Sequence, residues 1–196
     1  TAMGNNVSDV IGAIHLQNAT SCVVKRNYVT QNNQGIRLYS PDTYNTIMEN
    51  TVYNNTYDGM IEAMPGNTTF LGNIFFHNNF INNTNPFIYK VSGNIWDNSY
   101  PSGGNYWSDY TGSDADGDGI GDTLYIIDAN NTDNYPLKGM FFDFNVTWEG
   151  GIYGLSVISN SSVSDFCFGE IFIWETEESW KAISFQATGP DNTVGF

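Results

Sequence analysis

A short asparagine-bounded motif that recurs along the chain constrains the fold more than any other sequence feature. It reads Asn-Tyr-Val-Thr-Gln-Asn over residues 27–32, Asn-Thr-Val-Tyr-Asn-Asn over residues 50–55 and Asn-Ile-Phe-Phe-His-Asn over residues 73–78, in two steps of 23 residues. A short apolar segment precedes each copy, and a glycine-led apolar segment lies between copies. Three short strands in such a repeat form one coil of a β-solenoid, whose strands pair in parallel with their copies in the next coil about 4.8 Å away.

The repeat also predicts which side chains lie inside the solenoid. Strands alternate inward and outward residues, so Ile36, Leu38, Ile47 and Val52 are expected to fill the interior. The asparagines that open the three copies, at positions 27, 50 and 73, are expected to stack at one corner as a hydrogen-bonded ladder of side-chain amides. A leucine-rich repeat has a similar period, but its leucine pattern is missing.

The composition agrees with short strands separated by turns. Asparagine is abundant and favours turns, whereas lysine and glutamate, which favour surface helices, are scarce. The predicted fold class is all-β: a right-handed parallel β-helix followed by a small antiparallel β-sandwich. The expected domains are β-helix repeats over residues 1–100, a β-helix cap over 101–137 and an incomplete sandwich over 138–196.

The closing segment of the predicted solenoid carries a family resemblance. It reads Gly-Gly-Asn-Tyr-Trp-Ser-Asp-Tyr over residues 103–110, and Asp-Asn-Tyr-Pro-Leu follows over residues 133–137. With the repeats, these runs resemble the β-helices of the family named after the periplasmic copper-binding protein NosD, which recurs in archaeal surface proteins. The resemblance spans about residues 5–137 and implies a β-helix outside the cytoplasm. The copper function is not carried over, because His15 and His77 are isolated in the sequence.

An acidic, glycine-rich loop is the sharpest chemical motif. It reads Asp-Ala-Asp-Gly-Asp-Gly-Ile-Gly-Asp over residues 114–122. Calcium takes six to eight oxygen ligands, and the predicted set comprises the carboxylates of Asp114, Asp116, Asp118 and Asp122 and the carbonyl of Ile120. Asp109 or Asp128 would complete the shell. No helices flank the loop and Tyr125 occupies the position of the EF-hand glutamate, so dockerin-like or thrombospondin-type loops are closer; the alternative is a solvated acidic turn.

Two further kinds of site point to carbohydrate. Eight Asn-x-Ser/Thr sequons, in a pattern typical of a glycosylated extracellular surface, occur at Asn6, Asn18, Asn54, Asn67, Asn82, Asn130, Asn145 and Asn160. Aromatic residues also surround the acidic loop. Of these, Tyr106, Trp107 and Tyr110 would form a sugar-binding platform if exposed, while the favoured alternative is that the aromatics cap the open end of the solenoid.

The pattern changes after Leu137. Apolar residues alternate with polar ones from Phe142 to Trp148, and a Glu-Gly-Gly turn leads to a second apolar run at residues 152–158. These features predict a β-hairpin, and further strands are expected at residues 165–174 and 180–187. The ending resembles a C-terminal module of archaeal surface proteins.

The net charge of −15 excludes several functional classes. With six Lys and Arg residues, the chain offers little to neutralise phosphates, so nucleic acid is not an expected partner. No transmembrane stretch or signal peptide occurs, so no membrane insertion is expected within the chain. Because it opens without Met inside a repeat, targeting segments are expected to lie outside it or to have been removed.

The remaining classes are structural, binding and enzymatic. Parallel β-helices include polysaccharide lyases and hydrolases, but the charged residues of the coils do not align on one face, so catalysis is not expected. These residues are Lys25, Arg26, Arg37, Asp42, Glu49, Asp58 and Glu62. The sequence favours a calcium-stabilised extracellular or cell-surface protein with a structural or adhesive role, self-associating into surface layers or filaments; the alternative is a carbohydrate-binding module or a polysaccharide-active enzyme.

Overall fold

The computed structural model describes residues 1–39, 42–63, 72–85, 87–88, 93–141, 145–149, 152–156, 167–176 and 179–187. Across these ranges the regular structure consists of strands, and no helix occurs. The chain divides into two compact units, Thr1–Phe141 and Phe142–Phe196. Residues 138–141 therefore belong to the first unit. No helix in the described residues is long and apolar enough to cross a membrane.

The described residues of the first unit form fifteen short strands. They are β1 Ala2–Met3, β2 Asn6–Ser8, β3 Gly12–Gln17, β4 Val23–Lys25, β5 Tyr28–Thr30, β6 Gln34–Tyr39, β7 Thr46–Met48, β8 Thr51–Tyr53, β9 Asp58–Ala63, β10 Ile74–Phe76, β11 Asn79–Ile81, β12 Phe87–Ile88, β13 Tyr106–Trp107, β14 Tyr125–Ile126 and β15 Thr132–Asp133. Twelve of them follow one another in threes, and each set of three forms one coil.

Successive coils pair in parallel through three sheets. Sheet A has the order β1-β4-β7-β10, sheet B the order β2-β5-β8-β11-β13 and sheet C the order β3-β6-β9-β12. Strands that are neighbours in a sheet are therefore a full coil apart in sequence, and the predicted parallel β-helix is confirmed. The short antiparallel pair β14–β15 follows in the capping segment.

The described part of the interior is filled by a column of apolar side chains. Ile36, Leu38, Ile47 and Val52 are completely buried, as predicted from the alternation of inward and outward residues. Buried residues of neighbouring coils stack in register; in sheet B, for example, Val29 pairs with Val52, which pairs with Phe80. Burial of these side chains stabilises the solenoid by roughly 25 cal/mol per Å² of apolar surface removed from water.

The fourth coil corrects the predicted register. The sequence motif aligned residues 73–78 with residues 50–55, but Phe75 pairs with Ile47 in sheet A. Residues 79–81 are the ones that pair with Thr51–Tyr53, so the step between these coils is 28 residues instead of 23. Most of the extra residues fall between β9 and β10, where residues 64–71 lie outside the described part of the chain.

The corners of the coils are built from pairs of residues. The first member of each pair has a positive φ, which turns the chain sharply, and the second is usually a buried asparagine. Arg26, Glu49 and His77 hold the first position at one corner, with φ values of 54°, 56° and 57°. Non-glycine residues in this conformation are uncommon, and they persist where the surrounding structure over-determines them.

Three asparagine ladders follow these corners. The longest joins Asn5, Asn27, Asn50, Asn78 and Asn105 through amide–amide hydrogen bonds of 2.8–2.9 Å, each Nδ2 donating to the Oδ1 of the next coil. The second contains Asn32, Asn55 and Asn83, and the third contains Asn45, Asn73 and Asn94. The predicted step from Asn27 to Asn50 is confirmed, whereas Asn73 stacks in a different ladder.

Aromatic residues close the C-terminal end of the solenoid. The Trp96 ring stacks on Phe75 with centroids 4.2 Å apart, and the Trp107 ring stacks on Phe80 at 4.5 Å. Tyr125 stacks on the other side of Trp107, also at 4.5 Å. The apolar column is therefore covered by rings where the coils end, in agreement with the capping interpretation.

The described residues of the second unit form two antiparallel strand pairs. Strand β16 Asn145–Glu149 pairs with β17 Ile152–Ser156, and β18 Cys167–Thr176 pairs with β19 Ser179–Ala187. The predicted hairpin and the two later strands are present. Phe142 and Phe144, with which the sequence began the first of these strands, lie outside the described residues.

Candidate metal loop and the solenoid cap

Three of the predicted calcium ligands lie together. Carboxylate oxygens of Asp114, Asp116 and Asp118 all lie within 4.8 Å of one another, and these side chains are exposed or half-buried. Oxygens that share one ion at about 2.4 Å can be at most about 5 Å apart, so the three fit a single calcium-sized cation. The loop can therefore bind a metal ion through oxygen ligands.

Backbone N–H groups shape this acidic triad. Asp114 accepts hydrogen bonds from Gly117 and Asp118 at its Oδ1 (2.8 and 3.1 Å) and from Gly119 at its Oδ2 (3.1 Å). Gly117 and Gly119 have φ values of 75° and 87°, a conformation that side chains disfavour. The glycines are thus required by the backbone turn, as the sequence pattern suggested.

The other predicted ligands have different positions. Asp122 lies outside the triad, and its Oδ2 accepts hydrogen bonds from Ser113 Oγ and Ala115 N–H, both at 2.9 Å. Asp109 accepts the Tyr125 hydroxyl at 3.0 Å, and Asp128 accepts the backbone N–H groups of Asn130 and Asn131. Asp109 and Asp128 are therefore engaged elsewhere in the cap.

The loop is fastened to the end of the solenoid through Ile120. This side chain is buried, and Ile120 forms an antiparallel bridge with Leu137. The bridge uses the groups on either side of Ile120, since Lys138 N–H donates to the Gly119 carbonyl at 3.0 Å and Gly121 N–H donates to the Pro136 carbonyl at 2.8 Å. The pairing therefore leaves the Ile120 carbonyl, the predicted fifth ligand, unused.

Asp133 ends the longest asparagine ladder. Its Oδ2 accepts the Asn105 backbone N–H at 2.7 Å and the Trp107 indole N–H at 2.9 Å. A Cβ on Gly104 would lie 1.9 Å from Asp133 Oδ1, so only glycine fits there. Burial raises the pKa of the Asp133 carboxyl to about 6, although these hydrogen bonds favour the ionised form.

The aromatic residues predicted as a sugar platform do not form an exposed surface. Trp107 is 1% exposed and lies between the rings of Phe80 and Tyr125. Tyr106 and Tyr110 are half-buried. The Trp107 ring covers the core and is not exposed for stacking on a sugar, as expected from the capping alternative.

Most of the charged residues of the coils bind partners in the same coil or in a neighbouring one. Glu49 lies 2.7 Å from Arg26 and 3.8 Å from Lys25, so these charges pair between neighbouring coils. Asp42, expected on the outside, is fully buried and accepts the backbone N–H groups of Ala19 and Tyr39. Arg37 is held by Gln34 and lies over the Tyr39 ring. Asp58 and Glu62 lie in β9, where only the backbone is described.

The sequons fall at several kinds of position. Asn6, Asn18, Asn82 and Asn130 are exposed, and Asn54 is half-buried. Asn145 lies in β16, while Asn67 and Asn160 lie outside the described residues. None of the ladder asparagines is the acceptor residue of a sequon, although Asn55 and Asn83 are the middle residues of two sequons, so the ladder amides and the acceptor amides are separate sets.

One comparison with known proteins finds a relationship. A family model described as "Periplasmic copper-binding protein (NosD)" matches residues 1–112. The match covers more than half of the chain, including the coils and the Gly-Gly-Asn-Tyr-Trp segment, and ends before the acidic triad. No curated protein and no solved structure matches the chain.

Proposed function

The chain belongs to the NosD family, a family of periplasmic or extracellular β-helix proteins, and from that premise we propose that it is a calcium-stabilised extracellular scaffold. In this proposal the solenoid is a rigid structural or adhesive element at the cell surface. Calcium bound at residues 114–122 stabilises its capped end. Glycosylation at the exposed sequons and self-association into surface assemblies belong to the same proposal.

Copper, named in the family description, does not fit the described residues. Copper sites are built from histidine, cysteine or methionine ligands. His15 lies in sheet C, whereas His77 lies at a corner after β10, where it stacks on Phe141 and bonds the Ser102 carbonyl. In the described ranges, the metal-compatible group of His, Cys, Asp or Glu side chains is the acidic triad. Its oxygen ligands favour a hard cation such as calcium.

The observation that carries the proposal is the connection between the triad and the cap. After the triad, the Gly119 carbonyl accepts the Lys138 N–H, and the Gly121 N–H donates to the Pro136 carbonyl. Asp133, which ends the ladder, lies in the same closing segment. A cation that orders the loop thereby holds the segment that closes the solenoid, so binding is coupled to the stability of the fold.

The test is thermal unfolding of the whole chain in excess chelator and in millimolar calcium. A ligand that binds only the folded state stabilises it by about 2.7 kcal/mol at a hundred times its Kd, so calcium should raise the Tm by several degrees. Asp116→Asn should remove most of the shift. Asp9→Asn, which removes one carboxylate from an exposed corner outside the loop, should retain it.

Copper(II) in place of calcium provides the opposing arm of the same experiment. A larger Tm shift with copper than with calcium, unchanged in Asp116→Asn, would contradict the proposal. If calcium raises the Tm of neither the parent nor Asp116→Asn, the loop is a solvated acidic turn and not a calcium site.

A further inference from the structure

A polar groove runs along one corner of the solenoid, away from the acidic loop. It has a volume of about 540 Å³. Its lining residues come from four successive coils: Asp9, Gln31, Asn54, Asn55, Thr56, Asn82 and Thr84. Because equivalent residues of neighbouring coils are about 4.8 Å apart, the groove presents a regular row of polar groups parallel to the solenoid axis.

The backbone sets the direction of four of these side chains. Asp9, Gln31, Asn54 and Asn82 each have a positive φ, between 49° and 59°. Gln31, Asn54 and Asn82 each directly precede an asparagine of the second ladder. Asp9 precedes Val10, whose N–H donates to the Asn32 side chain of that ladder. The turn leaves the first residue of each pair at the surface of the groove, whereas the second residue is buried at Asn32 and Asn55.

The two residues of a corner pair differ in their hydrogen bonding. Asn55 is buried, and its amide bonds Asn83 Oδ1 and the Val29 carbonyl, so its capacity is used within the protein. In contrast, the side chains of Asp9, Gln31, Asn54 and Asn82 make no hydrogen bond to another described residue. These are exposed or half-buried groups whose donors and acceptors are available to a ligand.

We propose that this groove binds an extended, uncharged polysaccharide that lies along the solenoid axis. Amides and hydroxyls both donate and accept hydrogen bonds, as sugar hydroxyls require. An extended glycan advances by close to one coil spacing per sugar unit, so successive sugars meet equivalent side chains on successive coils. The single carboxylate in the lining and the net charge of −15 disfavour an acidic polymer.

Asn54 and Asn82 also begin sequons, which determines how the groove must be tested. A glycan attached to either amide would occupy the groove itself, so the groove binds a polysaccharide only in molecules in which Asn54 and Asn82 are unmodified. The whole chain is therefore produced in a host without N-glycosylation. Its migration is compared in native gels containing hydroxyethyl cellulose or galactomannan, whose backbones are extended and uncharged, and in gels containing polygalacturonate.

Glycine substitutions remove the groove side chains without straining the backbone, because glycine tolerates a positive φ. The groove variant is Gln31→Gly with Asn82→Gly. The matched control is Asn18→Gly with Ser21→Gly, at two positive-φ residues that do not line the groove. Loss of several hydrogen bonds should weaken the apparent affinity about tenfold in the groove variant.

We expect a neutral polymer in the gel to slow the migration of the parent and of the control. The groove variant should migrate nearly as fast as it does in a gel without polymer. Unretarded parent protein in both neutral polymers would overturn the proposal. Equal retardation of the groove variant and the control, or stronger retardation by polygalacturonate, would also overturn it. The acidic loop is intact in all these proteins, so failure here leaves the calcium scaffold untouched.

Discussion

At the residue scale, asparagine has two different roles in this protein. In the ladders, as at Asn50, its side chain bonds two neighbouring coils and is completely buried. At the position before a ladder residue, as at Asn54 and Asn82, it adopts a positive φ and faces outward. The abundance of asparagine in the sequence thus results from the geometry of the corners, which needs a buried amide and a residue tolerant of the left-handed conformation.

Replacement of a ladder asparagine should be costly. Asn50→Ala removes the acceptor of the Asn27 backbone and side-chain N–H groups and the donor to the Val24 carbonyl. Buried groups left without partners cost about 1–3 kcal/mol each, so we expect a loss of about 2–4 kcal/mol in the free energy of unfolding, measured with urea. Asn6→Ala, at an exposed strand position, is the control and should change stability by less than about 0.5 kcal/mol.

Asp133 should make stability depend on pH. Burial raises its folded-state pKa from an ordinary value near 3.8 to about 6, so the folded state binds the proton more tightly than the unfolded chain. The resulting stabilisation is complete below about pH 4 and is lost as the pH rises through about 6. The measurement is urea unfolding of the parent and of Asp133→Asn between pH 4 and 7. As the pH rises over this range, the free energy of unfolding of the parent should fall by about 2–3 kcal/mol relative to that of the variant. A constant difference would show that Asp133 does not titrate in this range.

At the element scale, the sequence predicted the type of coil but not every register. Asn45, Asn50 and Asn55 mark the three corners of one coil, and they are five residues apart. The next coil repeats this spacing at positions 73, 78 and 83. Because the corner asparagines are equally spaced, aligning two coils one corner out of register still matches asparagine with asparagine. The constant step of 23 residues therefore selects the wrong alignment for the fourth coil, which lies 28 residues on.

The burial of alternate strand residues could be predicted because it depends only on local periodicity. The hydrogen-bond partners of the outward-facing side chains could not be predicted, because each partner lies a full coil away in the sequence. Gln31 and Asn82, for example, have no common sequence signal except that each precedes an asparagine of the second ladder. Their place in one groove follows from the corrected register.

Close packing between coils predicts a difference between two glycines of sheet C. A Cβ on Gly35 would lie 2.0 Å from the Gly59 carbonyl oxygen, a backbone atom of the next coil. A Cβ on Gly12 would lie 2.1 Å from the ring of His15, an exposed side chain that can rotate away. Gly35→Ala should therefore lower the free energy of unfolding by about 2–3 kcal/mol, and Gly12→Ala by less than about 1 kcal/mol. Similar losses for both, measured with urea, would contradict this account of the packing.

At the scale of the whole molecule, the first unit is a linear array in which each coil pairs with the next through the three sheets. Its C-terminal end is closed by Trp96 and Trp107, and the acidic loop is attached to that closing segment by the pairing around Ile120. The sequence predicted that Asp114, Asp116 and Asp118 lie together, since the alternate aspartates and the glycines are local, but it also included Asp122, which lies outside the triad. It did not predict the attachment to Pro136–Lys138, which joins residues distant in sequence and has no local pattern.

This arrangement predicts a gradient of protection when the loop binds calcium. Hydrogen exchange followed by mass spectrometry should slow most for the amides of Gly121 and Lys138, which pair the loop to the closing segment. It should slow less for Tyr106, one step into the solenoid, and least for Tyr28 in the second coil, because under the proposed function the ion suppresses local opening at the cap. Asp116→Asn should abolish the whole gradient. Protection confined to residues 113–118, with Gly121 and Lys138 unchanged, would show that the loop binds its ion without stabilising the solenoid.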